Sequence, residues 1–253
     1  MNQARSQSWY LDPLAASQKQ RVHLELIARW APPQCGLLLK TDLFEEANGD
    51  DDLLYKLKGR AVLALGIDIN LETACQAKAR VPGLPDIAFV GADARALPLR
   101  TNSVDVIVSN STLDHFRLRS EFEKALAELA RVLRPGGCLI LTVDNVLNPL
   151  YWPLRWLSWA APFRLGYSPS PRELNTMLGE ASLSVAASEQ LIHNPRMLST
   201  LVFLGLRAVL GHRADGPISA LLRCFDGLGR LPTRRFTACF WAVRAGKPQS
   251  PAN

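Results

Sequence analysis

Three short apolar strands, each running into polar residues between Ile87 and Asn145, constrain this chain more than any other feature. Ile87–Val90 stops at Gly91-Ala92-Asp93-Ala94, and Val104–Ser109 empties into the loop NSTLDHF. The third strand, from Cys138 to Val143, follows the helical run EFEKALAELARVL and the turn Arg134-Pro135-Gly136-Gly137. In that run Phe122, Leu126, Leu129 and Leu133 recur at i, i+4, i+7 and i+11, the buried stripe of a crossover helix. Alternation of this kind predicts right-handed βαβ units on a parallel sheet, which binds ligands beyond the carboxyl ends of its strands.

The flanking sequence extends the pattern. Leu14–Trp30 reads as a helix with Val22, Leu26 and Trp30 on one face, ended by Pro32-Pro33. Strands are expected at 35–39 and 61–67, with a short helix at 53–57 and another over 72–80. Past Asn145, Ser170, Pro171 and Glu173 spell a helix start: cap, first helical residue and capping box. A strand over 183–192 and helices over 195–210 and 218–228 follow. Residues 236–243 alternate as a last strand, placed to pair antiparallel. The expected organisation is a single domain, 1–253, with an N-terminal helical extension (1–33), an aromatic cap segment (146–170) and a helical insertion before the last strand (195–230).

Charge divides the chain. Residues 1–145 carry 17 Lys/Arg against 18 Asp/Glu, a net of −1, whereas residues 146–253 carry 12 against 5, a net of +7. The basic excess therefore bears on a substrate, partner or membrane surface more than on the strand-end loops. Its arginines are dispersed among apolar residues and form no nucleic-acid-binding module, so nucleic acid is not the expected partner. The five cysteines show no metal-ligand or pairing spacing, which fits a reducing compartment, and no metal is expected. The start, MNQARSQSWYLDP, lacks the apolar core of a signal peptide, and the apolar run Met197–Gly211 is short for a membrane span. A cytoplasmic protein, at most peripheral to a membrane, is the expectation.

Two carboxylates carry the ligand argument. Asp68 ends the 61–67 strand, where a carboxylate accepts the two hydroxyls of a ribose; the plainer alternative is a helix N-cap. Asp93 lies just past the next strand, where it can receive an adenine amine while the Ala94 amide serves a ring nitrogen. The plainer alternative there is an Asx-turn. No GxGxxG is present, which weighs against a dinucleotide.

The run GIDIN … VGADARALPLRTNSVDVIVSNSTLDHF … ALAELARVLRPGGCLILTV resembles the class I S-adenosylmethionine-dependent methyltransferases, in the group that includes quinone-ring and lipid methyltransferases. The resemblance is close over roughly residues 60–145 and looser over Ser170–Val185. It implies a Rossmann-like class I methyltransferase sheet, mostly parallel, with an antiparallel C-terminal strand and a helical cap insertion. It makes Asp68 the ribose ligand, sets Ile69 against adenine, gives Asp93 and Ala94 the adenine edge, and puts Ser109 and Asn110 at the substrate-facing loop. Asp105 would be the acid at the fourth strand. The chain departs from the family after the first strand, where an acidic-x-G-x-G-x-G loop lets backbone approach the cofactor without a Cβ. Here Lys40 stands near the acidic position and no glycine follows until Gly49. Either Asp42 or Glu45 grips the cofactor's ammonium along another route, or the pocket is blocked.

Methyl transfer needs alignment, a dry site and sometimes a base. Asp114 and His115, in NSTLDHF, are the catalytic candidates, though a lone histidine is often structural. His193 is a candidate for the substrate pocket. Trp152, Trp156 and Trp159 recur at i, i+4 and i+7. Such a face can lid a hydrophobic pocket, with Trp152 and Trp156 lining it; lie in a membrane interface with Arg155 and Arg164 towards headgroups; or close the core. The sequence thus predicts a methyltransferase for a small hydrophobic acceptor, of quinone, lipid or polyketide type, as monomer or homodimer. The rival is a non-catalytic binding or scaffold protein of the same fold.

Overall fold

The computed structural model describes residues 12–49, 52–156 and 165–249. Seven strands form one sheet: β1 (Cys35–Thr41), β2 (Ala61–Asp68), β3 (Ile87–Gly91), β4 (Val104–Asn110), β5 (Leu133–Asp144), β6 (Ser184–Leu191) and β7 (Phe240–Gly246). Their order is β3-β2-β1-β4-β5-β7-β6. All pairings from β3 to β5 are parallel, and β7 runs antiparallel to both of its neighbours. The connections leave β1 and β4 in opposite directions, so a crevice opens between their carboxyl ends.

Strand alternation fills both faces. Leu39, Ile107, Leu139 and Leu141 pack under α5 (Arg119–Val132) and α7 (Pro171–Glu180). Leu38, Val106, Val108 and Ile140 pack under α1 (Pro13–Trp30) and its neighbours. Asp12 caps α1 by accepting the Leu14 amide at 2.9 Å, and Ser170 with Glu173 forms the expected capping box on α7.

Between β1 and β2 two short helices, α2 (Phe44–Asn48) and α3 (Leu53–Lys56), occupy the acidic stretch; only the second was expected. The helix after β2 is α4 (Leu71–Arg80). Past β5 come α6 (Tyr151–Trp156), α8 (Arg196–Leu210), α9 (Asp215–Leu228) and α10 (Arg234–Thr237). Trp159 and Arg164, part of the expected cap, lie outside the described residues, as do residues 1–11 of the N-terminal extension.

Two boundaries differ from expectation for physical reasons. The last strand begins at Phe240 and not at 236, because residues 234–237 coil into α10. Side-chain amides of Asn145 and Asn148 hold that turn by donating to the carbonyls of Arg235 and Ala238. At its other end, β5 starts at Leu133, which pairs with Val104 before the register shifts. The expected 134–137 turn is thus a kink within a strand. Gly136, at φ +75°, makes it, and its amide donates to the Lys247 carbonyl at 2.8 Å.

Candidate active site

β2 delivers Asp68 to the lip of the crevice. Its Oδ2 accepts the Leu43 amide at 3.0 Å and its Oδ1 the Asn70 amide at 2.8 Å. These bonds fix the carboxylate while each oxygen keeps a second acceptor direction. Asn70, and not Asp68, caps α4, so the N-cap alternative falls to its neighbour. Ile69 stands 67% exposed beside it, an apolar side chain open to solvent. Asp93 lies on the loop after the adjacent β3, as expected. Its carboxylate is clasped by the Arg95 side chain, at 2.7 Å from Nη2 and 3.0 Å from Nε. Arg95 also pairs with Glu121 on α5 and lies 5.1 Å over the Phe116 ring. The guanidinium holds the Asp93 carboxyl below the usual carboxylate range, so it stays an acceptor. Sequence reasoning missed Arg95. Ala94 is buried behind this pair.

The glycine-free loop takes its shape from side chains. Counted from Lys40, the family's three glycine positions fall on Asp42, Phe44 and Glu46. Asp42 adopts φ +65°, which Asp tolerates better than most residues, and its Oδ1 accepts the Phe44 amide at 2.7 Å. Lys40 is buried and donates to the Asp42 carbonyl at 2.6 Å and to Glu46 Oε2 at 2.8 Å. Glu46 also accepts the Leu54 amide at 2.8 Å. Burial pushes the Glu46 carboxyl up, and Lys40 opposes that. Leu43 turns into the core over Gly66, where a Cβ would come within 2.5 Å of it. The loop is therefore fixed from within by its own side chains, with the Leu43 amide held against Asp68. Glu45, the other candidate for the ammonium, pairs instead with Lys19 at 3.0 Å.

On the β4 side, Ser109 is fully buried and accepts from Thr41 Oγ1 at 3.0 Å across the β1–β4 seam. It forms floor, not wall. Asn110 accepts from Thr142 Oγ1 at 2.7 Å. Asp105 is structural, tying the Leu37 amide at 2.6 Å to Arg134 at 2.6 Å. Leu113–His115 make one 3-10 turn. Asp114 is only 2% exposed: Oδ2 accepts from Ser111 Oγ at 2.9 Å and from the Asp144 amide at 2.8 Å. Its buried Oδ1 has no hydrogen-bond partner among the described residues. His115 is exposed. Gly166 closes against the backbone of Asp114 and Phe116, and the Tyr167 amide donates to the Phe116 carbonyl at 2.6 Å.

The cap differs from a pocket lining. Trp152 and Trp156 are 52% and 80% exposed, while Tyr151 turns inward. Its hydroxyl accepts from Arg155 at 3.2 Å, and burial raises its pKa, with Asp144 and Asp114 adding to the rise. A cavity of about 20 Å³ lies behind Tyr151 and Leu154, against Asn145, Asn148 and Cys239. His193 is buried, not open to the crevice: its Nδ1 lies 2.8 Å from Thr237 Oγ1, and Gly229 leaves room for its ring. A larger groove of about 590 Å³, past the end of α4, opens at the amino end of β3, away from these groups. No group of His, Cys, Asp or Glu among the described residues could hold a metal ion.

The adenosine half of S-adenosylmethionine fits these residues: a fixed carboxylate on β2, an apolar face at Ile69 and a second carboxylate on β3. At the amino-acid half the loop is fixed by its buried ion pair, Glu45 is paired with Lys19, and Asp42 accepts the Phe44 amide.

Residues 48–141 match a protein family described as methyltransferase domain. The chain is 37% identical over 103 residues to a demethylmenaquinone methyltransferase of Thermus thermophilus, covering 39% of this chain and 45% of that protein. It is 38% identical over 79 residues to phthiotriol/phenolphthiotriol dimycocerosates methyltransferase 1 of Mycobacterium ulcerans, covering 30% and 27%. It spans less than half the length of these curated relatives. Its fold matches an S-adenosylmethionine dependent methyltransferase from Mesorhizobium loti over 89% of this chain and 97% of that one, with a TM-score of 0.61 at 16% identity.

Proposed function

From the premise that residues 48–141 belong to the methyltransferase-domain family, on the class I sheet described above, we propose that the chain is an S-adenosylmethionine-dependent methyltransferase of a small hydrophobic acceptor. The observation that carries this reading is the pair Asp68 and Asp93 at the ends of neighbouring parallel strands, with Ile69 exposed beside Asp68. The matched relatives are named for quinone and lipid acceptors, which supports the same class here.

The cofactor, when bound, would supply an electrophilic methyl on a sulfonium, which an acceptor takes by in-line attack while the neutral thioether leaves. Asp68 would hold the ribose, and Asp93 would take the adenine amine once Arg95 yields one of its bonds. Asp114, buried with one carboxylate oxygen that lacks a hydrogen-bond partner among the described residues, is one candidate to take or orient the proton of a hydroxyl nucleophile. His115, exposed beside it, is the second candidate for that proton.

Titration calorimetry tests this. S-adenosylhomocysteine should bind in the micromolar range and NAD should not. Asp68→Asn keeps an acceptor for the Leu43 amide but loses the charge, and should weaken binding by about 1.5–3 kcal/mol. A folded protein that binds neither methyltransferase cofactor, or an unchanged D68N affinity, overturns the assignment. The glycine-free loop favours a second reading, a binding protein that has kept the fold without transfer. That outcome is marked by S-adenosylhomocysteine binding without methylation of any quinol or lipid acceptor offered.

A further inference from the structure

We propose that the sheet edge carrying the candidate site is also a docking surface for an anionic lipid bilayer. α8 presents Leu198, Leu201, Val202 and Val209 at i, i+3, i+4 and i+11, and Leu198 and Leu201 are each 64% exposed. The opposite face, with Ser199 and Phe203, is buried, Phe203 against Ile218 and Leu222 of α9. Arg207 is turned aside into pairs with Asp12, at 2.7 Å, and Asp215. An apolar helix face left in water over three turns marks an interface.

The topology sets this face among others like it. Phe240 stands opposite both Asp144 and Leu191 in the ladder, so α6, α8 and α10 all meet the sheet at the carboxyl edge of β5 and β6. Asn148 bonds the Ala238 carbonyl at 3.0 Å, and His193 bonds Thr237 at 2.8 Å, tying all three together. Trp152 and Trp156 are exposed on the first, and Leu231 and Phe236 on or before the last. Arg230, Arg234 and Arg235 are exposed among them. In the same half of the chain Asp226 and Glu189 are bound to Arg21 and Arg29, and Glu173 to its own cap, so little acidic charge offsets the arginines.

Apolar and tryptophan side chains ringed by arginine fit the boundary between headgroups and acyl chains. A second copy fits less well, because a two-fold contact would set these arginines against their own counterparts. Among the described residues no helix is long and apolar enough to cross a membrane, so contact would be in the interfacial plane. The surface stands apart from the proposed reaction, although it would bring an apolar acceptor to the same edge as Asp114.

Co-sedimentation with phosphatidylcholine vesicles, with and without phosphatidylglycerol, tests the proposal. The protein should partition onto the anionic vesicles and be released by high salt. Leu198→Ser combined with Leu201→Ser, both surface changes, should reduce partitioning about tenfold or more with an unchanged melting curve. Arg234→Glu with Arg235→Glu should remove the preference for phosphatidylglycerol. No binding to anionic vesicles, or equal binding by the double serine variant, overturns the surface. So does a dimer in sedimentation velocity that the serine variant dissolves, since the face would then lie between copies. S-adenosylhomocysteine titration of the same preparations keeps the two readings separate: lost vesicle binding with retained titration overturns the surface alone, and the reverse overturns the reaction alone.

Discussion

A lysine and a glutamate, both buried, hold the loop after β1 where a glycine-rich turn would otherwise pass. Removing one partner of such a pair strands the other charge in the core, whereas replacing both with apolar residues need not. Glu46→Gln should therefore lower the urea-derived stability by about 3 kcal/mol, and Lys40→Met with Glu46→Leu should restore most of it. A loss within error for E46Q would mean that the pair does not shape the loop. The sequence showed that the glycines were missing but not what stood in for them. The ion pair closes over six positions through a one-turn helix that no periodicity announces. Asp42 at positive φ was open to inference, since Asp tolerates that region. Arg95 was harder to find: its clasp on Asp93 spans only two residues, but its other partner, Glu121, comes from α5 through the tertiary fold.

At the scale of elements, the crossover helices and β1 to β4 were legible to within a residue or two, because each has its own apolar period and punctuation. The errors lie where distant side chains overrule local pattern. Arg234–Thr237 alternates well enough for a strand, yet Asn145 and Asn148, some ninety residues earlier, draw its carbonyls into a turn. The tryptophan spacing foretold a helix but not its orientation, which follows from Tyr151 taking the inward place. The return of the chain at Gly166 is a third tertiary feature. A Cβ there would come within 2.3 Å of the Phe116 carbonyl oxygen and 2.4 Å of that of Asp114, neither of which can move without its turn. Gly166→Ala should cost about 1–3 kcal/mol in a thermal melt and reduce turnover more than cofactor affinity, since Asp68 lies on another strand. An alanine variant as stable and as active as the parent would show that the 113–116 turn needs no such support.

The molecule as a whole should lose stability on mild acidification. Burial lowers the His193 pKa below its ordinary 6.5; Arg234 adds to this and Asp226 opposes it. The unfolded chain therefore takes up this proton first, so stability present above the unfolded pKa declines as pH falls through about 6.5 towards the lower folded value. Urea midpoints at pH about 7.5 and about 5.5 should differ, and His193→Asn should narrow the difference. An unchanged slope in that variant would place the acid sensitivity elsewhere. Charge by half was plain in the sequence, since residues 146–253 carry the whole excess. What stayed hidden was that α6, α8 and α10 rise from one line of the ladder, a fact of strand register. That arrangement has a consequence for descent. The stretches between β5 and β7 can lengthen, shrink or be exchanged without moving the carboxylates at the ends of β2 and β3. Under the proposed function, recognition of the nucleoside and choice of acceptor would thus be separable traits in this architecture, and selection could rewrite the second while inheriting the first intact.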